Sequence, residues 1–237
     1  MRSYWRDLEW LRFCLASIDK YCRGFSGVVV VLPRGSEAWW RRCDITPATG
    51  TRLEWCADYR DDYLGQQVTK LHADLYTQAD FVCHVDSDCV FDRPTWPADL
   101  IVDGRPRIQI RATERLGRAY PWKNATEKFL AWPVETDYMQ APPFCYPRWL
   151  YSRVRDHSLA QHALELETYV LAQPSRGFSE HNVLGAYAWR YHHEAFRWID
   201  GDTDLEVKRH CRWYWSWGGM DRATRAELSA LLELACG

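Results

Sequence analysis

The chain has 237 residues, and 30 Lys and Arg stand against 32 Asp and Glu for a formal net charge of -2. That length suits one α/β core with a trailing subdomain, and the near balance of charge excludes bulk attraction to nucleic acid or to acidic membranes. Aromatics make up 15%, with 14 Trp, several in loop-like settings such as Ala38-Trp39-Trp40 and Trp213-Tyr214-Trp215-Ser216-Trp217, where flat apolar faces suit sugar rings and nucleobases as well as a core.

In chain order, Asp7 to Tyr21 carries Leu8, Leu11, Leu15 and Ile18 at helical spacing, and Gly24 and Gly27 close it. Val28 to Leu32 is an unbroken β-branched run, the pattern of a buried parallel strand, stopped by Pro33. Trp55 to Arg60 fits neither period. Leu64 to Ala79 predicts a second helix with Val68, Leu71 and Leu75 on one face, feeding strand Phe81 to Val85. Alternation of helix and buried strand argues for a mostly parallel α/β sheet flanked by helices. Beyond Asp88 eight prolines from Pro94 to Pro147 punctuate short strands, Arg107 to Arg111 among them, and helices are expected over Tyr146 to Ser152, Leu159 to Ala172, Ser179 to Trp189 with Ser179 as cap, and Arg222 to Ala235.

Nine cysteines show no CxxC spacing and their number is odd, which points to reduced thiols and a cytoplasmic chain rather than a disulfide framework or a zinc site. No apolar run reaches 18 residues and Met1 to Lys20 is studded with charge, so neither a signal peptide nor a membrane span is expected.

The segment that carries chemistry is Asp86-Ser87-Asp88. Ligand sites of parallel α/β sheets lie outside the carboxyl ends of the strands. Two carboxylates there suit Mg²⁺ or Mn²⁺, which take one or two protein ligands and complete their shell with water and substrate phosphates. An Asp-Ser-Asp turn that merely bonds its own backbone is the structural alternative.

Tyr63-Leu64-Gly65-Gln66-Gln67-Val68-Thr69-Lys70-Leu71 followed by Phe81-Val82-Cys83-His84-Val85-Asp86-Ser87-Asp88 resembles the nucleotide-sugar-dependent glycosyltransferases of the GT-A fold. A bacterial and phage group of these opens with Ser-Tyr-x-x-Asp, here Ser3, Tyr4 and Asp7, and later carries Phe-Ser-Glu, here Phe178, Ser179 and Glu180. The resemblance implies one GT-A-like, Rossmann-like domain over residues 1–237, with a nucleotide- and metal-binding half at 1–92 and an acceptor half at 93–237. It implies a nucleoside diphosphate sugar as donor, a glycan or similar hydroxyl acceptor, and Mn²⁺ or Mg²⁺ on Asp86 and Asp88 with Ser87 between them. Asp88 would bind the metal directly, Asp86 would reach it or the ribose, and Tyr4, Asp7, Gln67 and Lys70 would approach the donor. His210 would be the third ligand, with Lys208, Arg209 and Arg212 as diphosphate clamps. Glu180 would be the acceptor base if the reaction inverts, with Asp156, His157, His192 and His193 weaker candidates, and Phe144, Tyr146 and Trp149 would stack on sugar. One departure is that the strand with which such domains begin is missing or cut short here.

Two other readings fit the same residues. Asp86-Ser87-Asp88-Cys89-Val90 matches the loop of haloacid-dehalogenase-type phosphatases, with Asp86 as nucleophile and Gly201-Asp202-Thr203-Asp204 as distal acidic motif. In a non-catalytic glycan-binding domain the aromatics alone would act.

Overall fold

The computed structural model describes residues 1–43, 45, 50–117, 121–205 and 207–234. Among these the elements run α1 (Leu8–Tyr21), β1 (Val28–Pro33), α2 (Glu37–Trp40), β2 (Thr51–Cys56), α3 (Asp62–Leu71), β3 (Phe81–His84), β4 (Cys89–Phe91), α4 (Pro97–Leu100), β5 (Ile101–Val102) and β6 (Arg105–Ala112). Then follow α5 (Lys123–Leu130), β7 (Thr136–Asp137), β8 (Phe144–Pro147), α6 (Trp149–His162), α7 (Leu166–Leu171), α8 (Glu180–Tyr191), β9 (Arg197–Asp200), β10 (Cys211–Trp213) and α9 (Arg222–Leu232). They pack as two compact units: Met1–Asp58 with Val85–Asp99 and Arg209–Gly237, and Tyr59–His84 with Leu100–Lys208.

In the first unit β1 and β2 pair in parallel, from Val28↔Thr51 to Pro33↔Cys56. The opening residues add a parallel bridge, Arg2↔Val31, in which Val31 N donates to Met1 O at 2.9 Å and Ser3 N to Val31 O at 3.1 Å. The extended start thus adds one parallel bridge to β1 on the side away from β2. Leu8, Leu11 and Leu15 of α1 bury against Val30 and Leu32, while Trp10 and Phe13 on another face of α1 meet Val90, Leu228 and Leu232. One helix thus serves two apolar layers, each stabilising roughly in proportion to area removed from water. β4 and β10 are antiparallel, Cys89↔Trp213 to Phe91↔Cys211.

In the second unit β6 pairs antiparallel with β5 and β7 and parallel with β9, Arg107↔Arg197 to Ile110↔Asp200. β3 and β8 are antiparallel, Phe81↔Pro147 to His84↔Phe144. Phe129 sits at the centre of a cluster, edge-to-face with Tyr169 and Phe178. The protein is mixed α/β.

The expectation of a mostly parallel sheet is corrected: of the strand pairs among the described residues, only β1–β2 and β6–β9 are parallel. Phe81 to His84 reads as a fully buried run, yet only His84 is buried, and its antiparallel partner lies some 60 residues on, beyond the reach of periodicity. Helix boundaries shift as well. α3 stops at Leu71, where His72 turns to φ -108°, and a 3-10 turn covers Ala73–Leu75. Tyr146 belongs to β8, and the helix begins at Trp149. Leu159 to Ala172 is broken by Ala163 at φ 54°. α9 ends at Leu232, with Ala235 outside the described residues.

The expectation of reduced thiols throughout is corrected too, because the directly opposed Cys83 and Cys145 form a disulfide. Their pairing depends on strand register, which cysteine spacing cannot reveal. Cys14, Cys22, Cys43, Cys56, Cys89 and Cys211 are in no disulfide. Among the described residues no helix is long and apolar enough to cross a membrane.

Candidate functional site

Asp86-Ser87-Asp88 forms the tight turn entering β4. Cys89 N donates to Asp86 O at 3.0 Å, and the Cys14 thiol points at the same carbonyl at 3.6 Å. Ser87 and Asp88 are buried and Asp86 is half-buried. The strand register extends past β10 to this turn: Tyr214 N donates to Asp88 O at 3.0 Å, and Ser216 N to Asp88 Oδ2 at 2.8 Å. The Ser216 hydroxyl donates to Asp7 Oδ2 at 3.3 Å. Asp7 precedes α1, but its side chain accepts no capping bond from that helix, so its carboxylate serves the C-terminal segment instead. Tyr4 is half-buried and precedes the 3-10 turn Trp5–Asp7, with its carbonyl accepting from Asp7 N. The first unit therefore joins Asp7 and Asp88 through one serine.

Trp213, Trp215 and Trp217 flank that serine. Trp213 and Trp215 stack with centroids 4.3 Å apart and planes 16° apart, and Trp217 stands edge-on to Trp215 at 5.8 Å. Trp215 is 49% exposed and Trp217 60%.

His210 does not join the Asp pair. In the β4–β10 ladder Asp88 lies beyond the Trp213 end and His210 beyond the Cys211 end. At about 3.3 Å per residue, the ladder sets them roughly 10 Å or more apart. The buried His210 ring instead places Nδ1 3.4 Å from Thr95 Oγ1. Arg212 is engaged with Asp92 and Glu227 at the surface rather than held for a diphosphate. Among the described residues no group of three or more His, Cys, Asp or Glu side chains is arranged to hold a metal ion. Burial pushes the Cys14 and Cys89 thiols well up and the Cys22 thiol to about 12, so these are neutral thiols. Among the described residues, what the Asp turn offers a cation is the two carboxylates of Asp86 and Asp88. That donor set fits an ion that draws its remaining ligands from water and phosphate oxygens, and it does not fit a closed structural site.

In the second unit the structure brings Gln67, Lys70 and Glu180 together, although they were expected in different roles. Ser179 caps α8 by accepting from Asn182 N at 3.4 Å, which starts the helix at Glu180. Gln67 Oε1 accepts from Glu180 N at 2.8 Å, Lys70 Nζ lies 2.8 Å from Glu180 Oε1, and His181 Nε2 lies 3.3 Å from the same oxygen. The Lys70 and Glu180 side chains are 4% and 3% exposed. The Glu180 carboxylate, expected as the acceptor base, is an enclosed member of an ion pair that holds the first turn of α8. Gln67 and Lys70 likewise clasp the first turn of α8. Close by, His84 Nε2 lies 2.6 Å from the Tyr151 hydroxyl, and burial holds the imidazole well below its ordinary value, hence neutral. Burial also pushes the Tyr151 and Tyr146 hydroxyls well up, keeping them as proton donors.

Of the expected sugar-stacking residues, Phe144 and Tyr146 are core, the former stacked on His181 at 4.0 Å. Trp149 is 42% exposed and borders a cleft of about 450 Å³ with Arg148, Asp80 and Ser152. Asp202, the distal acid of the phosphatase reading, is paired with Arg111 and Arg115 at 2.9 and 3.0 Å.

Sequence reasoning missed Ser216, which sits 128 residues from Asp88. The Trp-x-Trp-x-Trp alternation was the available signal, but nothing in one dimension ties it to the Asp turn. No family model matches the chain, and a search of curated proteins gives no match.

Proposed function

We propose that the chain is a divalent-metal-dependent glycosyltransferase that moves a sugar from a nucleoside diphosphate sugar to a glycan or other hydroxyl acceptor. The observation that carries this reading is the setting of Asp88. Its carboxylate is fixed at Oδ2 by the Ser216 amide, on a tight turn beside half-buried Asp86, with exposed indoles on either side of that amide.

A carboxylate offers about four lone-pair sites on two oxygens, so accepting one amide proton does not exhaust it. In this reading Asp88 is the direct ligand and Asp86 the second. A bound Mg²⁺ or Mn²⁺ would neutralise diphosphate oxygens as the bond to the anomeric carbon breaks. Asp7, tied to Ser216, stands in the same unit for donor contacts, with Tyr4 near it in sequence. Gln67, Lys70 and Glu180 act by holding α8 in place. The phosphatase alternative is weakened because Asp202 is already held by two arginines.

The test is a thermal-shift panel of UDP, GDP, CDP and their sugars, with and without Mn²⁺, on the wild type and on Asp88→Asn. Ligand at 100 times Kd stabilises by about 2.7 kcal/mol. At least one nucleotide should raise the melting temperature of the wild type only when metal is present, and the substitution should abolish that rise. Incubation with a sugar nucleotide should release the nucleoside diphosphate. Release of inorganic phosphate from monoesters, with no nucleotide effect, would favour the phosphatase.

A further inference from the structure

The cleft beside Trp149 lies wholly in the second unit, at the open end of the β3–β8 ladder. Beyond the last rung, Phe81↔Pro147, Arg148 N donates to Asp80 O at 2.8 Å, so Asp80 and Arg148 stand opposite each other in register. Opposed residues of antiparallel strands hold their Cβ atoms about 5 Å apart, and opposite charges there ordinarily pair. Here they do not. Among the described residues neither Asp80 nor Arg148 makes an ion pair, and both line the cleft. Two other polar groups of its wall are already engaged: Asp74 takes both terminal nitrogens of Arg155 at 2.7 and 2.6 Å, and the Ser152 hydroxyl donates to Trp149 O at 3.0 Å. Phe81, Pro147 and the indole of Trp149, which meets the His192 ring at 4.7 Å, supply the apolar part.

We propose that this cleft binds a free α-amino acid with an apolar side chain, its carboxylate on Arg148 and its ammonium on Asp80. The two charges of such a ligand sit on one carbon, so it needs a cation and an anion about one cross-strand spacing apart, which is what the ladder end provides. The guanidinium can donate two parallel N–H bonds to the carboxylate. Trp149, Phe81 and Pro147 then cover the ligand's side chain. A ligand with a single charge would leave the other member of the pair unanswered. At about 450 Å³ the cleft falls in the lower part of the range of ligand sites, about 300–1,000 Å³, which suits one small molecule. The site uses no residue of the Asp turn and needs neither metal nor nucleotide, so it stands apart from the transferase reading.

The experiment follows the Trp149 indole N–H resonance, assigned with Trp149→Phe, during titration with L-phenylalanine, L-leucine and L-methionine in the absence of metal and nucleotide. The N-acetyl form of each, which lacks the cation, and the methyl ester of each, which lacks the anion, are titrated alongside. At least one free amino acid should shift the signal to saturation, and both of its derivatives should bind at least tenfold more weakly. Asp80→Asn and Arg148→Gln remove charges that have no ion-pair partner among the described residues. Both variants should therefore melt within a few degrees of wild type, and both should lose tenfold or more in affinity for the free amino acid. Asp80→Asn should leave the weak binding of the N-acetyl form unchanged, and Arg148→Gln that of the methyl ester. No saturable shift with any of the three, equal binding of parent and derivatives, or full affinity in both variants overturns the inference. Such a failure leaves the metal-dependent nucleotide effect untouched, and the reverse also holds.

Discussion

The Ser216 amide donates to Asp88 Oδ2 at 2.8 Å, a bond that closes the C-terminal aromatic segment onto the turn before β4. It separates two roles of Asp88. Asp88→Ala leaves a partly buried N–H without its acceptor and should cost about 1–3 kcal/mol in urea denaturation. Asp88→Asn keeps an oxygen at that place and should cost less than about 1 kcal/mol, while losing the charge a cation needs. Equal destabilisation by both would mean that the amide contact contributes nothing.

The Lys70–Glu180 pair is enclosed, so its single substitutions are asymmetric with its removal. Lys70→Met leaves an uncompensated buried carboxylate and should destabilise by about 3–5 kcal/mol. Lys70→Met with Glu180→Leu removes both charges and should recover more than half of that loss. The check is a double-mutant cycle by chemical denaturation, and simple additivity of the two single costs would contradict a coupled pair.

Stability should fall with acid through His84. Burial lowers its folded pKa below the ordinary value near 6.5, so the unfolded chain takes the proton first. Its contribution is present above about pH 6.5 and is lost as pH drops, at up to about 1.4 kcal/mol per unit for one proton. His157 and His192 shift the same way but are less buried. Asp137, raised by burial, has the opposite sign, since its contribution is lost as pH rises. Urea midpoints between pH 7.5 and 5.5 should slope less steeply in His84→Gln than in the wild type. Equal slopes would remove His84 as the cause.

Cys83 and Cys145 close a loop of 62 residues. Loop entropy makes such a link worth about 4 kcal/mol, through the freedom it removes from the unfolded chain. Replacing both by Ser should lower stability by an amount of that order. Alkylation of the unfolded, unreduced protein should leave these two cysteines unlabelled, whereas labelling of both would show the thiols to be reduced.

Local pattern carried α1, β1 and the start of α8 into view, because each depends on residues within one or two turns: the Leu8, Leu11 and Leu15 stripe, the valine run, and the Ser179 cap. The Asp turn was legible for the same reason. What was not legible depends on register between distant segments. Gln67, Lys70 and Glu180 drew notice separately, but only the docking of α3 against α8 turns them into one buried cluster. The resemblance puts His210 with the Asp pair, whereas the ladder of β4 with β10 sets it at the other end. The antiparallel match of β3 with β8 is likewise invisible to a two-residue period, and with it the disulfide.

Gly185 lies in the middle of α8, where helix propensity alone favours Ala by about 1 kcal/mol. A methyl group there would overlap the Cβ and ring of Tyr138. Tyr138 has little room to retreat: it is 3% exposed, its amide donates to Asn182 Oδ1 of the same helix at 2.9 Å, and its ring meets Trp189 and Trp198. Overpacking a closed contact typically costs about 1–3 kcal/mol, and this one combines a fixed backbone with an enclosed ring, so the upper part of that range applies. Steric cost therefore outweighs propensity. Gly185→Ala should be destabilised by about 1–2 kcal/mol in urea, and adding Tyr138→Ala, which opens the space, should make the Gly185→Ala step neutral or stabilising. A Gly185→Ala variant more stable than wild type would show that Tyr138 moves aside freely.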